Sequence, residues 1–143
     1  MKKTFGTDNQ KYNHHCTDFV DQYNGYYFNE LYCRDDLEFI KTTAGNLSDN
    51  QDLRDIGIQR WNWNTNERGM RLSKWECSHC QLSGNLSDSY KVTGLSLLHL
   101  NSNSLSGHIP TDFCHLPHLQ SLQLSDNQLC PPLPHCLNEQ DIG

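Results

Sequence analysis

The feature that most constrains this chain is an exact internal echo. Leu95, Leu98, Leu100, Asn103 and Leu105 recur 24 residues later as Leu119, Leu122, Leu124, Asn127 and Leu129, without a gap. Stepping back 23 residues from Leu95 gives Leu72, Trp75, Cys77, Cys80 and Leu82, the same frame with Trp and Cys in apolar slots. The tails agree as well. Leu105-Ser-Gly-His-Ile-Pro110 parallels Leu82-Ser-Gly-Asn-Leu86, and Leu133-Pro134 falls 24 residues after Ile109-Pro110. A fixed period of this size marks stacked coils in which each unit buries its apolar face only against its neighbours. Such a core is thin, which suits a chain of 143 residues with only 35% hydrophobic side chains.

The frame has a physical reading. In x-Leu-x-Leu-x the side chains alternate, so a short strand turns two leucines inward and their neighbours outward. An Asn just past the strand can bond the backbone groups that the turn frees, and Asn side chains in successive coils form a ladder. Asn103 and Asn127 hold that slot, with Cys80 in the first coil. Leu98, Leu100, Leu122 and Leu124 are expected to point inward, and His99 and Gln123 outward.

The segment 92–137 resembles the leucine-rich repeat family, specifically the plant-type class whose coil reads L-x-x-L-x-L-x-x-N-x-L-S-G-x-I-P; Leu95 to Pro110 matches it almost letter for letter. The resemblance implies an α/β fold: a short right-handed solenoid of about three coils with a parallel concave sheet. It also implies a helical N-terminal cap and a short C-terminal cap around Leu129-Cys130-Pro-Pro-Leu-Pro-His-Cys136. The cap helix is expected at Asp35–Ile40, with the acidic start favoured by the helix dipole, Gly45 as its end, and Trp61 or Trp63 packing on it. The expected organisation is an aromatic-rich arm at 1–33, a capping region at 34–71, repeats with their C-terminal cap at 72–137 and a tail at 138–143. Within the arm, 1–10 should be loose and 12–33 should fold over the cap.

There are seven cysteines, and the odd count leaves at least one thiol free or paired with another chain. Position 136 lies one coil beyond 112, two residues from Cys114, so stacking at ~4.8 Å favours a Cys114–Cys136 disulfide. Cys130 is the competing partner. Cys77-Ser-His-Cys80 is a C-x-x-C that offers redox or metal chemistry. The coil register gives it a simpler account, as buried thiols or a local pair. Cysteine richness and the resemblance favour an extracellular or cell-surface location, although no apolar stretch follows the opening Met-Lys-Lys as in a secretory signal.

Composition excludes other classes. Eleven basic against 17 acidic residues leave a charge of -6, without the basic footprint of a nucleic-acid partner. No stretch is apolar enough for membrane insertion. Eight scattered histidines form no local catalytic set, and there is no phosphate-cradling loop, so no catalytic residue, metal or cofactor is expected. Two N-x-S sequons occur, Asn46-Leu-Ser48 and Asn85-Leu-Ser87.

The outward strand positions form the concave face. Lys74, Leu97 and Ser121 share one column, Glu76, His99 and Gln123 another, and Ser78, Asn101 and Ser125 a third. Partner contact is expected at Lys74, Glu76, Leu97, His99, Asn101 and Gln123, with apolar Leu97 as the anchor. Three strands make a face only about 10–15 Å wide. The resemblance implies non-enzymatic binding of a protein or peptide, as in receptor ectodomains, co-receptor modules and inhibitors of cell-wall hydrolases. The alternative is a structural or assembly protein that self-associates through the repeat stack, the N-terminal arm or the odd cysteine.

Overall fold

A computed structural model describes residues 15–45, 53, 60–87 and 89–137. The expectations for residues 1–10, the tail at 138–143 and the Asn46 sequon lie outside them.

Strict alternation of inward and outward side chains sets the strands of the repeat frame. β4 (Met70–Glu76), β5 (Leu97–His99) and β7 (Ser121–Gln123) run parallel, the last two as three-residue strands. Their registers align Lys74 with Leu97 and Ser121, Trp75 with Leu98 and Leu122, and Glu76 with His99 and Gln123. The middle row is buried: Trp75 and Leu98 are fully enclosed and Leu122 nearly so. Leu100 and Leu124 are fully buried too. A second, two-stranded parallel sheet follows the turn, with β6 (Ser106–His108) beside β8 (Gln128–Cys130). Between the sheets Leu82, Leu86, Leu95, Leu105, Ile109, Phe113, Leu116 and Leu119 fill one contiguous core.

The helix α1 (Arg34–Ala44) spans the expected Asp35–Ile40 and ends at Gly45, which takes φ 80°. Leu37, Phe39, Ile40 and Ala44 are buried against the first repeat strand. Its C-terminal carbonyls, orphaned by helix geometry, receive N–H groups from the segment after β4. Ser83 donates to Ala44 O at 2.9 Å, Gly84 to Thr43 O at 3.0 Å and Asn85 to Thr42 O at 3.3 Å. Gly84 permits the approach, since a Cβ there would collide with the Thr42 carbonyl.

The N-terminal segment forms a hairpin, β1 (Phe19–Tyr23) and β2 (Tyr26–Cys33), that packs beside α1 and joins the main sheet at Tyr32 beside Met70. Its turn is Asn24-Gly25, both at positive φ, the geometry that a two-residue hairpin loop prefers. Cys16 and Cys33 are disulfide-bonded at the hairpin base. A further strand, β3 (Arg60–Thr65), pairs antiparallel with the whole of β4. Both Trp61 and Trp63, not one of them, serve as packing aromatics. A chain of ring contacts runs Phe28–Tyr32–Trp63–Trp61–Trp75–Phe39, with centroids 4.8–6.1 Å apart. Such contacts contribute beyond their burial by roughly 0.5–1.5 kcal/mol each, and they tie hairpin, β3 and helix into one unit.

Candidate functional site: the concave face

The concave sheet is wider than three strands. The β3–β4 register places Asn62 opposite Lys74 and Arg60 opposite Glu76. One row of the face is therefore Asn62–Lys74–Leu97–Ser121, and the next is Arg60–Glu76–His99–Gln123. β3 carries no repeat frame, which is why period reasoning missed it. The signal that marks it is the alternation Trp61-Asn-Trp-Asn64, a period-two strand pattern. Asn62, Lys74 and Gln123 are exposed, while Glu76, Leu97, His99 and Asn101 are half-buried. Leu97 thus presents less apolar surface than a fully outward residue would.

The centre of the face is a polar array. His99 Nε2 lies 2.7 Å from Ser121 Oγ, and His99 Nδ1 lies 3.5 Å from a Glu76 carboxylate oxygen. Each member comes from a different strand, brought together by the in-register stacking. Further along, Ser78 Oγ donates to Asn101 Oδ1 at 3.0 Å and Ser102 Oγ to Asp126 Oδ2 at 3.2 Å. These cross-coil bonds restrain the rotamers of their members on the face. Beside the array, a cleft is lined by Trp61, Asn62, Trp63, Asn64, Lys74 and Ser96 among others.

The Asn slots hold the turn behind the face. Asn103 Nδ2 donates to Leu100 O and, one coil back, to Cys77 O, both at 2.9 Å. Its Oδ1 accepts from Cys80 N at 2.9 Å and Leu82 N at 3.1 Å. Asn127 repeats the pattern one coil on, with Leu124 O and Leu100 O as acceptors at 3.0 Å and Leu105 N as donor at 3.0 Å. Both side chains are half-buried rather than enclosed. In the first coil the slot is held by Cys80, whose sulfur is bonded to Cys77 and whose backbone N–H donates to Asn103 Oδ1. The C-x-x-C is therefore a disulfide, neither a thiol pair nor half a metal site. The residue after each strand turn, His79, Ser102 and Asp126, sits at φ 57–61° in every coil, which marks the same local fold three times.

The cysteine pairing follows the stacking. Cys114 and Cys136 are disulfide-bonded with Cα atoms 5.5 Å apart, and Cys130 is a free, exposed thiol rather than a partner for Cys136. Among the described residues, one group has metal-ligand spacing, Cys16, Cys33 and Asp35, and its two sulfurs are joined to each other.

A buried ion pair joins α1 to β4. Asp36 of α1 is fully buried, and its two oxygens accept Arg71 Nε at 3.0 Å and Nη2 at 3.2 Å. Leu72 N donates to the same carboxylate at 2.9 Å. Arg71 also reaches Lys91 O and Thr93 Oγ1, so one guanidinium joins helix, first strand and the return segment. Burial raises the Asp36 pKa above its ordinary value, against the opposing pull of Arg71 and the Leu72 N–H. The acidic helix start was legible only as dipole complementarity; its ion-pair partner 35 residues away carried no local signal.

The family model described as leucine rich repeat matches residues 87–129. No curated protein matches the chain. Among solved structures it is similar to the LRR ectodomain of the receptor kinase SOBIR1 from Arabidopsis thaliana, at 23% identity over 67% of each chain with a TM-score of 0.39. Over the matched segment the coil frame, the parallel strands at one-coil spacing and the Asn ladder are all in register.

Proposed function

We propose that the chain is a non-enzymatic recognition module: three leucine-rich coils, closed by α1 and the hairpin at one end and by the 129–137 segment at the other. It binds a protein or peptide on the concave face. The observation that carries this reading is the pair of in-register rows spanning four strands, with Asn62, Lys74, Glu76, Leu97, His99 and Gln123 presented together. Four strands at ~4.8 Å spacing give a face approaching 15–20 Å, closer to what a specific interface needs than three. Three disulfides favour an oxidising, extracellular or cell-surface setting.

Glu76, His99 and Ser121 have the order of a catalytic triad, but the geometry favours recognition. The N–H groups flanking the Ser121 position are already spent: Gln120 N and Ser121 N both donate to Ser96 O, at 2.8 and 3.2 Å. Acyl transfer needs such donors free at the reacting oxygen.

The test is capture from the source organism with wild type and with Leu97→Asp/His99→Glu as bait. The reading expects a partner retained by the first and lost by the second. A partner held equally by both moves the site off this face. Light scattering separates the assembly alternative, since growth of mass with concentration, unaffected by the double substitution, would favour self-association elsewhere on the stack.

A further inference from the structure

The first coil carries a sequon at a position the recognition face does not use. Residues 81–87 alternate strictly: Leu82, Gly84 and Leu86 are buried, and Gln81, Ser83, Asn85 and Ser87 are exposed. Asn85 and Ser87 therefore share the outward side, with Leu86 anchored in the core between them. Ser87 N donates to Asn85 Oδ1 at 3.0 Å, an Asx turn that holds the carboxamide oxygen against the chain. Among the described residues, the Asn85 Nδ2 has no protein partner. The contrast with the ladder is direct: Asn103 and Asn127 spend their Nδ2 groups on carbonyls, whereas Asn85 leaves its own in solvent.

We propose that Asn85 carries an N-linked glycan. The donor is a lipid-pyrophosphate-linked oligosaccharide. The Asn85 amide nitrogen forms a bond to C1 of the first sugar, the C1–O bond to pyrophosphate breaks, and the amide loses one proton; nothing is oxidised or reduced. The proposal rests on the extracellular reading given above. Its placement has a consequence for that reading. Gly84 O accepts from Ser106 N at 3.1 Å, so Asn85 borders β6 and the smaller sheet, while the binding rows lie on β3, β4, β5 and β7. A glycan here shields that flank and leaves the concave face open.

The test uses the full chain purified from its source, digested without reduction and treated with a peptide-N-glycosidase in ¹⁸O water. That enzyme converts a glycosylated Asn to Asp bearing ¹⁸O, which mass spectrometry assigns to a residue. The expected result is label at position 85, abolished in Asn85→Gln and in Ser87→Ala and retained in Ser87→Thr. Unlabelled Asn85 in a chain whose Cys114–Cys136 peptide is disulfide-linked would overturn the glycan and leave the extracellular reading standing. Unlabelled Asn85 in a chain with all its cysteines free would overturn both.

Discussion

Asn103 and Asn127 occupy the same slot but hold unequal loads. Asn103 Oδ1 accepts two N–H groups, Cys80 and Leu82, where Asn127 Oδ1 accepts one, Leu105. A buried polar group left unmatched costs about 1–3 kcal/mol. Asn103→Ala is therefore expected to destabilise more than Asn127→Ala in chemical denaturation; equal losses would mean that water replaces the amide at both turns. Asp36 makes a second residue-scale prediction. Its folded pKa is raised, so the native state holds the proton more tightly than the unfolded chain. The group's contribution to stability is then full below the unfolded carboxylate pKa and falls as pH rises through the folded value. The stability difference between wild type and Asp36→Asn should decline with rising pH across that window and be flat outside it. A difference that grows with pH would mean that Arg71, not burial, dominates. Removing the partner is the harsher change: Arg71→Met leaves the carboxylate enclosed and uncompensated, at a cost of about 3–5 kcal/mol.

At the scale of elements, the sequence was readable where the period repeats and opaque where pairing is non-local. Leu98, Leu100, Leu122 and Leu124 could be placed inward because each coil restates the same frame, and the strand registers agree residue for residue. The helix was readable from its acidic start and Gly45 stop. β3 and the β1–β2 hairpin were not. Their apolar residues are aromatic rather than periodic, and their partners are chosen by ring packing with Trp75 and Tyr32. The Cys16–Cys33 bond was hidden for the same reason, since nothing in the spacing brings the two ends of a hairpin base together before the hairpin is known. The proposed binding face inherits this split: the β4–β5–β7 columns were visible in the sequence, whereas the place of Asn62 beside Lys74 depends on β3. Helix docking gives the element-scale prediction. Gly84→Ala puts a methyl group against the Thr42 carbonyl and should destabilise by at least the ~1–3 kcal/mol typical of overpacking. It should also free the α1 C-terminus, read as faster amide exchange at Ser83 and Asn85, whose N–H groups cap it. Unchanged exchange there would show that the helix end is held by its side chains instead.

For the whole molecule, stability is close to a sum along one axis, because each coil touches only its neighbours. The two ends are not equivalent. The N-terminal end is held by the buried Asp36–Arg71 pair, the aromatic chain and the helix carbonyl bonds. The C-terminal end has short β7 and β8, a rim of half-buried Leu129 and Leu133, and the Cys114–Cys136 disulfide tying the last coil back by 22 residues. In the chain-entropy account a loop of that size is worth on the order of 3 kcal/mol. Replacing Cys114 and Cys136 together by Ala should therefore loosen this end first. Hydrogen exchange is expected to quicken at Leu105, Gln120 and Gln128, whose N–H groups bond Asn127, Ser96 and Leu105 across the last interface. Protection at Leu72 and Ser96, near the helix end, should persist. Uniform loss of protection at both ends would instead show that the stack unfolds as one cooperative unit, with the coil interfaces too strong for either end to fray alone.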